Sequence, residues 1–165
     1  MLIIGIDPGS KGALCALNPS TTAVMFFPTP NIETSPLEVF EWILHMESTD
    51  KAGVRIIGIE DVHSVQGTSA KSNFSFGRNV GVVNAIASCT RISTDHVTPK
   101  VWQKNVGIPQ KRPLLQGTAL KKAIGAHAKK LYPKAELQGP QGGLLDGRAD
   151  ALMIAHYFAL KYGIN

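Results

Sequence analysis

The sequence predicts an α/β fold on an open sheet, and two observations predict it. Residues 2–6 and residues 54–59 are short apolar runs rich in β-branched residues, of the kind that both faces of a sheet cover. Each run stops abruptly at acid, Asp7 after the first and Glu60-Asp61 after the second. As parallel neighbours they bring those acids together at their C-terminal ends, where ligand sites of open α/β sheets lie.

Each element follows in chain order. The first run ends at Asp7-Pro8-Gly9-Ser10. Proline cannot continue a ladder and glycine permits a sharp turn, so Asp7 stands on the border of core and solvent. Its carboxylate there either caps its own turn or is held for a cation. Residues 13–17 and 22–27 read as the next two strands, ended by Asn18-Pro19-Ser20 and by Pro28 and Pro30. Their short spacing favours antiparallel hairpins. Ser35-Pro36-Leu37-Glu38 gives a helix start, with a capping serine, proline at the first position and glutamate at the third. Residues 36–47 then carry an apolar face of Leu37, Phe40, Ile43 and Leu44. Residues 64–73 read as a polar loop. Residues 74–87 read as a helix with Val80, Val83 and Ala87 on one side and Phe76, Val82 and Ile86 close by. Gly77, Gly81 and Ala85 recur on it at four-residue spacing, which fits either tight packing on the sheet or the approach of another helix. A short strand over residues 91–97 precedes a helix from Pro99 to about 106, with Thr98 at its cap. Residues 107–116 read as an exposed loop, and a helix from Gly117 runs to about Tyr132, ended by Pro133. Residues 138–147 hold four glycines and read as a flexible connection to the last helix, over residues 148–162.

The 165 residues suit a single domain over 1–165, with 44% hydrophobic and 18% charged residues. The net charge of +5 points to an anionic partner. Cys15 and Cys89 read as reduced core residues. No apolar run reaches the roughly 18 residues of a membrane span, and no basic region precedes the first strand. The expectation is a cytoplasmic protein without a signal peptide or membrane attachment. Between His96 and Ala135 stand nine Lys or Arg and no acid: Lys100, Lys104, Lys111, Arg112, Lys121, Lys122, Lys129, Lys130 and Lys134. A run of this kind is either a solvated helix face or a surface for a polyanion. Its single sign favours the polyanion, because solvated faces mix signs.

Four acids stand at element ends: Asp7, Glu60, Asp146 and Asp150. The last two lie at i and i+4 of a helix start, where the macrodipole favours acids in any case. Asp150, however, leads directly into Ala-Leu-Met-Ile-Ala, and half-burial is costly for a lone carboxylate. No His/Cys set has zinc spacing; His45, His96, His127 and His156 read as surface or packing residues, as do Trp42 and Trp102. Oxygen-only ligands suit Mg²⁺ or Mn²⁺. Two such ions roughly 4 Å apart can activate a water and stabilise the leaving oxygen of a phosphodiester. Chemistry alone therefore points to a metal-dependent nuclease.

Ile4-Gly5-Ile6-Asp7-Pro8-Gly9-Ser10, then Ile59-Glu60, then Asp146-Gly147-Arg148-Ala149-Asp150-Ala151-Leu152 resembles the RuvC family of Holliday-junction resolvases, in order and spacing over nearly the whole chain. In size the chain is similar to the compact phage-borne members. The resemblance implies a ribonuclease H-like fold, a five-stranded mixed β-sheet flanked by α-helices. It implies a homodimer that nicks two opposing strands of a four-way DNA junction symmetrically, using Mg²⁺ or Mn²⁺, two ions per site. It carries Asp7, Glu60 and Asp150 over as metal ligands and adds Asp146, although well-known bacterial members place that ligand three residues before the last acid, at Gly147 here. Gly117-Thr118-Ala119-Leu120-Lys121 looks like the stretch that brings a basic residue to the scissile phosphate, which gives Lys121 the transition-state charge. Lys104 and Lys122 are then phosphate contacts, with Lys100, Lys111 and Arg112 of the same basic quarter on the DNA. The resemblance makes the helix over 74–87 the dimer seam. The junction-opening aromatic it expects three residues after the second acid is His63 here, with Phe74 or Phe76 as the others to take that work. A flap or fork nuclease would share every catalytic residue, and a junction-binding protein without metals would share the surface. An ATPase with a similar acidic first strand is disfavoured by the lack of a second phosphate-binding glycine loop.

Overall fold

The structure, a computed structural model, describes residues 1–27, 35–62, 69–109 and 115–164. Strands β1 (Leu2–Asp7), β2 (Ala13–Asn18), β3 (Ala23–Phe26), β4 (Val54–Glu60) and β5 (Thr94–Val97) form one sheet in the order β3-β2-β1-β4-β5. β1, β2 and β3 pair antiparallel, as hairpin spacing demands, while β1, β4 and β5 run parallel. This is the mixed five-stranded sheet of the resemblance.

Helices cover both faces. α1 (Pro36–Thr49) and α2 (Ala70–Thr90) lie on one; α3 (Pro99–Asn105), α4 (Gly117–Leu131) and α5 (Asp146–Lys161) lie on the other. The strands divide their side chains accordingly. Leu2, Ile4 and Ile6 of β1 join the α1–α2 core, and Ile3 joins the α5 core. Successive residues of a strand face opposite ways, so Gly5 and then Asp7 continue the face that α5 covers. By the same count Ile56, Gly58 and Glu60 of β4 share it.

Gly5 and Gly58 are partners across the β1–β4 pair. A Cβ on Gly5 would stand 2.2 Å from the Ala151 carbonyl oxygen, and one on Gly58 would stand 2.0 Å from the Phe158 ring. The two glycines form a shelf on which α5 lies directly against the strands. The helix is buried through Ala151, Leu152, Met153, Ile154, Ala155 and Phe158, which explains its lack of a polar face.

Several local expectations need correction. α1 turns Val39, Ile43 and Met46 inward, while Leu37 and Leu44 are exposed. Both stripes include Ile43, and periodicity does not say which flank meets a sheet. Trp42 does pack, edge-on to Phe27 at 5.9 Å between ring centroids. Ser35 makes no side-chain cap, since its φ of −135° and ψ of 52° lie outside the extended conformation from which such caps reach. Thr98 makes none either. α2 begins at Ala70 rather than within the apolar pattern, because the Ser69 hydroxyl accepts the Ser72 N–H at 3.1 Å and starts a first turn that is polar and exposed. Gly77 and Gly81 do not pack on the sheet: a Cβ on either meets nothing within 4 Å. Cys15 is buried, but Cys89 sits on the outer side of the last turn of α2 and is exposed. Among the described residues, no helix is long and apolar enough to cross a membrane.

Candidate active site

The parallel register of β1 and β4 sets Ile6 opposite Ile59, so the next residues, Asp7 and Glu60, end neighbouring strands side by side. Asp7 does cap its own turn: its Oδ1 accepts the Gly9 N–H at 2.9 Å. That bond uses one oxygen and leaves Oδ2 for another partner. Glu60 Oε1 accepts a 2.8 Å hydrogen bond from the Trp102 indole Nε1 on α3. Asp146 opens α5 and Asp150 follows one turn later. The glycine shelf fixes the height of α5 above the strands and so brings Asp150 to the two strand-end acids. Lys121 of α4 is hydrogen-bonded through its ammonium to Asp146 Oδ2. A cleft of about 190 Å³ runs between these groups, lined by Asp7, Gly9, Lys121, Asp146 and Asp150 among others.

The acids sense one another. Burial pushes the Asp150 carboxyl up to about 8, with the charges of Asp7, Glu60 and Asp146 adding and Lys121 opposing. Burial and then the Asp7 charge push Glu60 up to about 7, against the Trp102 hydrogen bond. Asp7 is raised by burial, against the Gly9 N–H; Asp146 raises it further and Lys121 lowers it. Among the described residues, no three His, Cys, Asp or Glu side chains are drawn together into a finished metal cage. The donor set still fits a hard divalent cation. All its atoms are carboxylate oxygens, and a cation offsets both the burial and the mutual repulsion that raise Asp7, Glu60 and Asp150.

A Cβ at Gly147 would stand 2.0 Å from the Lys11 carbonyl oxygen in the β1–β2 turn. The position three residues before Asp150 is thus closed to any side chain, and the carboxylate stands one residue earlier.

The basic residues spread outward from the cleft. Lys122 is exposed beside Lys121 on α4, and Lys100 and Lys104 are exposed on α3. Phe74 is 73% exposed on α2, while Phe76 is half-buried. The cleft lining does not include Glu60, Phe74, Phe76, Lys100, Lys104 or Lys122; Glu60 adjoins it at the end of the neighbouring strand. His63, Lys111 and Arg112 lie outside the described residues. Of the other histidines, His96 Nε2 bonds Asn84 Oδ1 and His156 Nδ1 bonds the Tyr132 hydroxyl, each at 2.8 Å. Sequence reasoning missed Trp102 as a partner of Glu60. The signal was topological: α3 follows β5, β5 lies beside β4, and the first turn of such a helix passes the end of β4.

An open mixed sheet in this order, with acids at the ends of its central parallel strands and a helix laid across them, defines a ribonuclease H-like α/β domain. No protein-family model and no curated protein matches the chain. Among solved structures, it is similar to Thermus thermophilus RuvC in complex with a Holliday junction substrate, at 16% identity and a TM-score of 0.61, covering 99% of this chain and 96% of that one. A second Thermus thermophilus RuvC structure matches at 17% identity and a TM-score of 0.56, covering 99% and 97%. The chain shares their fold.

Proposed function

We propose that this protein is a divalent-metal-dependent endonuclease that resolves four-way DNA junctions as a homodimer, by paired nicks in opposing strands. The observation that carries the reading is the placement of Asp7 and Glu60 at the ends of neighbouring parallel strands, with Asp150 of α5 and Lys121 of α4 close enough for their charges to be felt there. The RuvC fold supports branched DNA as the substrate, since one of the similar structures holds a Holliday junction.

Asp7, Glu60, Asp146 and Asp150 would hold the metal. Bound Mg²⁺ or Mn²⁺ supplies Lewis-acid charge at the phosphodiester and favours deprotonation of an attacking water. The remaining work belongs to the chain. Trp102 fixes the direction of Glu60, the Gly9 N–H fixes that of Asp7, and α5 presents Asp150 from a rigid support. Lys121 supplies positive charge to the phosphate oxygens as negative charge builds on them. Lys100, Lys104 and Lys122 hold the flanking backbone, as Lys111 and Arg112 do in the same reading, with His63, Phe74 or Phe76 at the junction opening. The outward face of α2 supports the dimer: Gly77 and Gly81 leave open space there, and Phe74 stands on the same side.

The test is nicking of a labelled immobile junction in Mg²⁺ and in Mn²⁺, beside a flap and a plain duplex. Paired symmetric nicks on the junction, abolished by Asp7→Asn and Asp146→Asn, are expected. Loss only with Asp7→Asn reduces the site to three acids. Equal cutting of all substrates replaces the resolvase with a general branched-DNA nuclease, and binding without nicks leaves a junction-binding protein.

A further inference from the structure

A second and larger cavity, of about 460 Å³, adjoins the acid cleft and has no part in the reading above. The two spaces share Ser10, Lys11, Gly12, Asp146 and Gly147. The β1–β2 turn and the first residues of α5 therefore form a thin ridge between them. Beyond the ridge the lining changes character: Ala13, Phe27, Leu144 and Leu145 make it apolar. Two cations border it. Lys11 makes no ion pair among the described residues. Arg148 is anchored, with its guanidinium 5.0 Å from the Phe26 ring centroid and donating to the Glu136 carbonyl at 3.0 Å.

We propose that this cavity receives one unstacked nucleobase, from a nucleotide next to the phosphate that lies in the acid cleft. The proposal rests on the nuclease reading and adds a subsite for the base beside the cut. The thin ridge separates backbone from base: the phosphate stays on the side of the carboxylates and their cation, and the neighbouring base folds over the turn. The volume falls in the range of small-molecule sites, roughly 300–1,000 Å³, and exceeds what a base needs. An apolar wall with a few polar groups at its edge suits a π-face with hydrogen-bonding edges. Lys11 at the rim is placed for the sugar-phosphate that the base leaves behind. The acidic Asp146 on the ridge disfavours the alternative occupant, a second phosphate.

The experiment uses 2-aminopurine placed in turn at each position flanking the cut, in junctions bound in Ca²⁺ so that the DNA stays intact. Wild type is expected to raise the emission at one position adjacent to the cut, where the base leaves the stack. In Mg²⁺, cutting rates are expected to differ by about a few-fold among the four bases at that position, the modest preference that stacking strength gives. Leu144→Trp, which fills the cavity from its exposed wall, should remove both the emission rise and the base preference while junctions still bind. Leu144→Ala, checked for folding by circular dichroism, is the second variant and should lower the preference without blocking entry. Absence of an emission rise at every position overturns the base pocket, as does full base preference in Leu144→Trp. A wild type that binds junctions and raises emission without nicking overturns the nuclease reading alone. Failure to bind DNA overturns both.

Discussion

The Trp102 indole Nε1 donates to Glu60 Oε1 across 2.8 Å, and Trp102 is itself only 1% exposed. A ring packed so tightly cannot follow a moving carboxylate, so the bond holds one oxygen of Glu60 in place beside the end of β1. The hydrogen bond also opposes the burial that holds Glu60 protonated up to about 7. Trp102→Phe keeps most of the apolar volume and removes the donor. Outer-shell partners of metal ligands typically carry about 10- to 100-fold in metal affinity or activity. We expect calorimetric titration of Trp102→Phe with Mn²⁺ to show affinity reduced by about tenfold, with a matching loss of nicking and an unchanged fold. Wild-type affinity in this variant would reduce Trp102 to a packing residue.

The glycine shelf makes a paired prediction. A Cβ on Gly5 meets backbone, the Ala151 oxygen at 2.2 Å and the Ala155 nitrogen at 2.5 Å, and neither can turn aside. A Cβ on Gly58 meets the Phe158 ring, which is buried but has side-chain torsions to spend. Overpacking a core costs typically about 1–3 kcal/mol. Gly5→Ala is expected at or above the top of that range and Gly58→Ala within it, by urea denaturation. Gly5→Ala should also lose nicking more than its stability explains, because lifting α5 moves Asp150 away from Asp7. Equal costs for the two would mean that α5 is not seated on β1 as described.

The raised carboxyls set a pH dependence with a definite sign. Glu60 and Asp150 titrate at about 7 and about 8 in the metal-free fold, above their unfolded values near 4. The folded state therefore holds protons that the unfolded chain has released. Their contribution to stability is complete below the unfolded values and is lost as pH rises through the folded ones. In EDTA, thermal stability is expected to fall between pH 5 and pH 8, with a slope of about 1.4 kcal/mol per pH unit for each proton still held. Divalent cations need the deprotonated groups, so Mg²⁺ should bind more tightly across the same window and oppose the decline. A metal-free melting temperature that rises from pH 5 to pH 8 would contradict the burial of these acids.

Much of this was legible in the residues, and the parts that were not have physical causes. The acid ends of residues 2–6 and 54–59 pointed to the parallel pair because the same buried run ending in carboxylate occurs twice, although Asp7 also caps its own turn. Asp150 was legible through the apolar residues behind it. The start of α2 was not, since Ala70 to Asn73 carry no apolar period and a single Ser69 hydroxyl decides where the helix begins. The inward stripe of α1 depends on how the helix rolls on the sheet, which is a tertiary outcome. That position 147 has no room for a side chain depends on the Lys11 carbonyl, which comes from a segment far away in the chain. Trp102 read as packing because its polar atom is one N–H, and only the β4–β5 neighbourhood reveals what that atom faces.

Gly77 and Gly81 give the sharpest test of assembly. Glycine in an exposed helix interior costs about 1 kcal/mol relative to alanine, and here neither residue is relieving a clash with its own chain, since a Cβ on either meets nothing within 4 Å. Removing them should therefore leave the single chain as stable as before, or more so. Gly77→Leu and Gly81→Leu instead place bulk on the face where a second copy of α2 is proposed to approach. Sedimentation is expected to show wild type as a dimer and the double variant as a folded monomer, whose melting temperature no longer rises with protein concentration as the dimer's does. The double variant should still nick, but with the two opposing nicks no longer paired in time. A double variant that sediments as wild type removes α2 from the interface.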